Sequence, residues 1–192
     1  MFHPGEQNLL QQQPPGSLTN TTSASPTAVT AAVTHINTLA ASWEPILARS
    51  VWQQAVGALA DAAAAKLVAD VMDLSSISQD EAYRIAGLIS EVEKIDELFL
   101  PSRMYGSSAR KKGEEEVPLT AQFAPGSWLR LKYLSEVLQS NLRDVRFLWM
   151  EGELSLYFDA EEVVELIKAS FEDNPRTREV LREIRANPSP RG

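Results

Sequence analysis

The amino-acid sequence predicts an all-α protein, an elongated helical bundle of about six helices preceded by a disordered N-terminal tail. Three observations predict this fold class. Apolar residues recur at steps of three and four along most of the chain, which is the spacing of one helix face. Helix-capping sequences precede several of these runs. Only residues 154–158 alternate in the manner of a strand, and a segment that short does not define a sheet.

Residues 1–27 are predicted to form the disordered tail. They contain a glutamine run at positions 11–13, two consecutive prolines and many Ser and Thr residues, and Glu6 is their only formal charge. Such a segment has too few apolar side chains for burial to offset the entropy lost on ordering.

Residues 28–100 are predicted to form a helical segment. Its first run of periodic apolar residues ends at Trp43, because Pro45 removes a backbone donor. A second run begins near Ser50 and contains many alanines, which favour helix and allow a neighbouring helix to approach closely.

A third run of this segment is predicted to begin at a capping box, in which the side chains of Ser78 and Glu81 would bond to each other's backbone amides. Pro101 ends that run. Residues 101–126 are then predicted to form an irregular linker, with a mixed charge run at 110–116 that is typical of a solvated hinge.

Residues 127–187 are predicted to form the C-terminal helical segment, and residues 28–187 together are predicted to be one domain. Its first helix is expected to start at a Ser127 cap and to continue towards Trp149. Asp159 and Glu162 form a second capping box, and Asn174 precedes a proline at the first position of the last helix.

The composition excludes several kinds of site. The chain has 26 acidic and 18 basic residues, a formal net charge of −8, no cysteine and two histidines. A disulfide framework and a cysteine-based zinc site are therefore impossible, and His3 and His35 lie too far apart to share a helix face. The acidic balance argues against general binding to nucleic-acid phosphates. No segment has the length and hydrophobicity of a membrane span, so the expected location is the cytosol or the nucleus.

The usual loop motifs of enzymes are absent from the sequence, which contains no G-x-x-x-x-G-K-[ST], G-x-G-x-x-G or G-x-S-x-G. Histidine and cysteine, the residues that most often supply general bases and nucleophiles, are scarce or missing. The sequence therefore predicts a protein that is not an enzyme and has no catalytic residues, cofactor or metal ion.

Candidates for contact with a protein partner are Tyr105, Trp128, Tyr133 and Trp149. Tryptophan is enriched at interface hot spots, which makes the two indoles the natural candidates. Their positions within periodic helices favour packing in the core as the alternative.

The run from residue 138 to residue 185 resembles the C-terminal end of the zeste-white-ten family of centromere/kinetochore and vesicle-tethering proteins. The matching positions are Leu142, Val145, Trp149, Gly152, Phe158, Glu162, Val163, Leu166, Ile167, Ala169, Phe171, Leu181, Ile184 and Arg185. Upstream positions that are similar to the same family are Ala55, Val56, Gly57, Leu59, Ile77, Ser78, Phe99, Val117, Pro118 and Trp128. The resemblance extends over about residues 28 to 186, although Leu131 stands where the family tends to have an aromatic residue.

The resemblance implies a non-enzymatic scaffold with the rod-like helical fold of tethering-complex subunits. It implies docking to a large α-solenoid subunit of the neuroblastoma-amplified or Rod type, with other tether subunits and SNARE proteins engaged indirectly. Family members act in a Dsl-type complex in Golgi-to-endoplasmic-reticulum retrograde vesicle tethering, and in animals also at kinetochores. The implied location is cytoplasmic and peripheral to the endoplasmic reticulum membrane through the complex, with the kinetochore as the alternative.

Family members are much longer than this chain, so the sequence is expected to be a fragment that contains their C-terminal helical portion. Two other functions stay open at this stage. A small helical ligand-binding protein or enzyme would need an interhelical pocket in which a residue such as Arg84 or Tyr133 faces a carboxylate. A nucleic-acid-binding helix-turn-helix is disfavoured, since ten acidic and six basic residues lie from position 151 onward.

Overall fold

The structure, a computed structural model, describes residues 25–106 and 116–187. All regular secondary structure in these ranges is helical, which confirms the all-α prediction. The first range contains α1 (Pro26–Trp43), α2 (Arg49–Met72), α3 (Gln79–Glu93), a 3-10 helix (Lys94–Phe99) and α4 (Pro101–Tyr105). The second range contains α5 (Thr120–Phe123), α6 (Trp128–Gln139), α7 (Leu142–Met150), α8 (Leu154–Tyr157), α9 (Ala160–Ser170) and α10 (Pro175–Ala186).

Two of the predictions fall wholly or mostly on residues outside these ranges. Residues 1–24 of the predicted tail lie outside the described residues, as does most of the charge run at 110–116. Within the described part of the predicted irregular linker, α4 and α5 form two short helices.

The main core lies where α2, α3 and α6 meet, with α1 packed against α2 and α3. Ala60 and Ala64 of α2 are fully buried, which agrees with the expectation that alanines allow close helix contact. Gly57 serves the same purpose against α5, because a Cβ there would lie 2.6 Å from the Cβ of Phe123. A second layer consists of α10 packed on α9 and α7.

The single helix that was predicted from Ser127 towards Trp149 is in fact two helices, α6 and α7. The chain is extended at Ser140, and the Asn141 side chain then caps α7 by accepting hydrogen bonds from the amides of Arg143 (2.9 Å) and Asp144 (3.1 Å). The break is invisible in the pattern of apolar residues because helical spacing continues across it.

The caps were predicted with mixed success. The box of Asp159 and Glu162 forms in both directions, and Asn174 accepts a hydrogen bond from the Thr177 amide at 3.0 Å. The Ser127 side chain makes no cap hydrogen bond; instead its amide donates to Oδ1 of Asp61 at 2.7 Å. The strand-like alternation at 154–158 belongs to the short helix α8.

Candidate protein-binding surface

Trp128 lies in the core, where only 1% of its surface is exposed. Its indole Nε1 donates to Oδ1 of Asp96 at 3.0 Å, and the same carboxylate accepts hydrogen bonds from the Thr120 hydroxyl and, at 2.6 Å, from Lys132 Nζ. Asp96 thereby connects the 3-10 helix, α5 and α6 through one half-buried polar network. Trp128 presents no free surface to a partner, so core packing describes it.

Trp149 is also buried, with 3% of its surface exposed. Its Nε1 donates to the backbone oxygen of Asn187 at 3.0 Å and so holds the end of α7 against the end of α10. Neither predicted tryptophan is a surface anchor, and the apolar body and polar edge of each ring are used inside the domain.

Tyr133 is half-buried and its contacts are within the chain. The ring stacks on Tyr157 with centroids 4.8 Å apart, and the hydroxyl donates to Oε2 of Glu153 at 2.8 Å. Desolvation raises the pKa of Tyr133, and the hydrogen bond to Glu153 raises that pKa further, so the hydroxyl stays protonated. Tyr133 does face a carboxylate, as the ligand-binding alternative requires, but this carboxylate belongs to an exposed residue at the surface.

Tyr105 is the predicted candidate that is available to a partner, because it ends α4 with 59% of its surface exposed. Two contacts hold α4 against the turn between α1 and α2. An Arg49 guanidinium nitrogen donates to the backbone oxygen of Met104, and Arg103 lies 3.4 Å from a Glu44 carboxylate oxygen. Gly106 follows Tyr105 directly. Its φ of +89° is a backbone conformation that favours glycine.

Three further apolar side chains lie on segments that meet at this end of the bundle. Ile46, Val51 and Val117 are 78%, 50% and 76% exposed. Ile46 and Val51 belong to the α1–α2 turn and the first turn of α2. Val117 is placed by its neighbours in the chain, since Glu116 accepts from the Ser102 hydroxyl at 2.6 Å and the Leu119 amide donates to the Phe99 oxygen at 2.9 Å.

We call Ile46, Val51, Tyr105 and Val117 the apolar end. Seven large hydrophobic side chains are well exposed in the described residues, and the other three lie on three separate helices: Tyr83, Phe147 and Leu156. A cavity of about 160 Å³ lies between the same segments and is lined by Glu44, Leu47, Arg49, Trp52, Leu98, Arg103 and Met104. Clustered exposed apolar side chains with a polar rim are typical of protein-interaction sites.

Sequence reasoning found Tyr105 but missed the other members of the apolar end. A usable signal was present, since Ile46 and Val117 are large aliphatic residues next to a proline in segments without helical periodicity. Apolar residues in such connections are not needed for the core face of a helix.

The described residues offer no group of His, Cys, Asp and Glu side chains arranged to hold a metal ion. No helix within the described ranges has the length and apolar character needed to cross a membrane. Chemically, the apolar end offers exposed apolar side chains whose removal from water is favourable.

Comparison with known proteins gives one consistent family. Residues 27–184 match the model of the ZW10 C-terminal helical domain. The centromere/kinetochore protein zw10 homolog of Mus musculus is 27% identical over 166 residues, which is 85% of this chain and 20% of that protein. The homolog of Arabidopsis thaliana is 26% identical over 143 residues, and these cover 74% of this chain and 18% of that protein.

The centromere/kinetochore protein zw10 of Drosophila grimshawi is 27% identical over 145 residues, or 74% of this chain and 18% of that protein. The chain thus spans about a fifth of the length of the curated relatives it matches. Since the family model covers most of the chain, the protein belongs to the family of the ZW10 C-terminal helical domain, the zeste-white-ten family that its sequence resembles.

Proposed function

We propose that this chain is a non-enzymatic scaffold domain that docks to a large α-solenoid subunit of the neuroblastoma-amplified or Rod type through its apolar end. The observation that carries the proposal is that four of the seven well-exposed large hydrophobic side chains of the described residues lie on segments joined by the contacts of Arg49, Arg103 and Ser102. Burying a side chain of this size contributes about 1.5–3 kcal/mol, so a few of them are enough for a specific contact.

The apolar end suits a rigid docking site because its segments are fixed to one another before any partner binds. Arg49 joins the start of α2 to the end of α4, and Ser102 joins α4 to the segment that carries Val117. A pre-organised surface loses less entropy on binding than one that must be ordered. A solenoid is a fitting partner since its stacked helix pairs form extended grooves.

The setting we propose is tethering of Golgi-derived retrograde vesicles at the endoplasmic reticulum. There the domain belongs to a Dsl-type complex, contacts other tether subunits and SNARE proteins indirectly, and is peripheral to the membrane only through that complex. Family membership supports this setting. A kinetochore role is the second candidate. It is favoured by the names of the mouse, plant and fly relatives, each of which is called a centromere/kinetochore protein.

Co-elution tests the proposal. The purified chain and the solenoid subunit of the same organism, each at micromolar concentration, are passed together through a size-exclusion column, with circular dichroism showing that the chain is folded. We expect a joint peak for that subunit and separate peaks for an unrelated α-solenoid of similar length. Separate peaks for the matched pair contradict the proposed docking.

A further inference from the structure

A second apolar surface lies between α1, α2 and the end of α3. This α1–α2 groove has a volume of about 380 Å³. It is lined by Ser25, Ala28, Val29, Ala32, Val33, Ala63, Lys66, Leu67, Asp70 and Val92. The volume lies within the range of sites that bind small ligands or a few side chains, roughly 300–1,000 Å³.

The walls of the α1–α2 groove select aliphatic side chains. Its floor consists of Val29, Val33, Leu67 and Val92, all buried, and its width comes from alanines. Among the described residues that line the groove, the charged ones are Lys66 and Asp70, which are paired with each other one helical turn apart. A charged group of an occupant would lose its water there and find no unpaired group of opposite charge. An uncharged aliphatic segment therefore fits the groove best.

The course of the chain indicates which segment that is. Ser25 lines the groove and is also the first described residue, so the preceding 24 residues join the domain at the groove itself. Leu9 and Leu10 are the only two adjacent large aliphatic residues among them, and Glu6 is the only formal charge. The 15 residues from Leu10 to Ser25 can span up to about 50 Å, whereas the groove is about 10 Å long on α2.

We propose that the α1–α2 groove binds the N-terminal segment of the same chain through Leu9 and Leu10. A tether this short gives the segment an effective concentration in the millimolar range, so a weak contact between a leucine pair and the groove is populated. Binding in this way covers apolar surface that is separate from the apolar end, and the inference does not depend on the proposed docking function.

A fluorescent label tests this contact cleanly because the chain contains no cysteine. An environment-sensitive dye is attached to Ala32→Cys in the groove, in the full chain and in the chain with Leu9→Ser and Leu10→Ser. Leu18→Ser is the matched control within the same segment. We expect the double substitution to shift emission to longer wavelength and to raise iodide quenching severalfold, and the control to change neither.

Addition of a synthetic peptide of residues 1–24 to the double variant is expected to restore the original emission. The same dye on Thr38→Cys, outside the groove, should keep its emission unchanged on either the double substitution or peptide addition. Equal emission from the full chain and the double variant, with no response to the peptide, overturns the proposal. A shift from Leu18→Ser as large as that from the double variant overturns the assignment to the leucine pair. Emission that depends on protein concentration identifies a second copy as the occupant instead.

Discussion

The first and last helices of the domain are stabilised in different ways. Helix α1 has 18 residues without a single Asp, Glu, Lys or Arg, and its N-cap residue Ser25 makes no side-chain hydrogen bond. Helix α10 has 12 residues, a capping Asn174 and exposed ion pairs at both ends, from Arg178 to Asp173 and from Arg185 to Glu161. Both helices bury one apolar stripe, but of the two only α10 adds ion pairs to neighbouring segments.

This difference shows that the polar surface of α10 is used in contacts within the domain, whereas the outer surface of α1 is not. The polar positions of α10 bond to α9 and to α7, where Arg146 pairs with Glu183. The outer positions of α1 have no charged group to pair, so α1 depends mainly on burial, together with one hydrogen bond from Nε1 of Trp52 to the Ala40 oxygen at 2.7 Å. The two surfaces described above are both next to α1. The α1–α2 groove is at its start, and the apolar end lies beyond its last residue.

The largest expected effect comes from a charge in the buried stripe of α1. Ile36→Asp places a carboxylate where the side chain is 6% exposed and where burial is the helix's main stabilisation. We expect the free energy of unfolding to fall by about 4 kcal/mol or more, measured by urea denaturation. Thr34→Asp, on the exposed face of the same helix, is the control and should stay within about 0.5 kcal/mol of the unaltered chain. A small effect of Ile36→Asp would show that α1 is not held by burial.

A smaller effect is expected from the caps, and here the two helices should differ. Asn174→Ala removes a side-chain oxygen that accepts from the Thr177 amide, and should lower the free energy of unfolding by about 1 kcal/mol. Ser25→Ala removes no cap hydrogen bond and should leave the free energy of unfolding almost unchanged. Equal losses from both substitutions in urea denaturation would remove the contrast between the helices.

The smallest effect is expected from the exposed ion pair between Glu161 and Arg185. The hydrogen bond from Arg185 lowers the pKa of Glu161, so the pair stabilises the fold above the pKa that Glu161 has in the unfolded chain. This contribution is lost as the pH falls through the lowered pKa of the folded state. Glu161→Gln should therefore reduce the urea midpoint slightly at pH 7 and low salt.

The difference between Glu161→Gln and the unaltered chain should shrink both at acidic pH and in 1 M salt, because exposed pairs are screened. A double-mutant cycle with Arg185→Gln isolates the pair from other effects of either substitution. A difference that grows as the pH falls would contradict the stabilising role of this pair.

Local features of the fold could be predicted from the sequence because their causes are local. The capping box at Asp159 and the cap at Asn174 involve residues three positions apart, and both form. The break at Asn141 was missed since its cap competes with an apolar pattern that continues unchanged from Leu138 to Val145.

The candidate site could be predicted only in part, because it depends on contacts between distant segments. The Arg49 guanidinium and the Met104 oxygen are 55 positions apart, and this contact brings Tyr105 to the α1–α2 turn. Trp128 was ambiguous for the same reason, since its partner Asp96 is 32 positions away. Periodicity predicts that a residue is in a helix, but not which distant group will bond to it.

The central claim, docking through the apolar end, is tested most directly by comparing substitutions of two exposed apolar residues. Ile46→Asp changes the apolar end, and Phe147→Asp changes the exposed face of α7. Titration calorimetry with the solenoid subunit should show at least about 30-fold weaker binding for Ile46→Asp, which corresponds to a loss of about 2 kcal/mol, and unchanged binding for Phe147→Asp. Both variants should keep the melting temperature of the unaltered chain. Unchanged binding by Ile46→Asp together with weakened binding by Phe147→Asp would contradict the account.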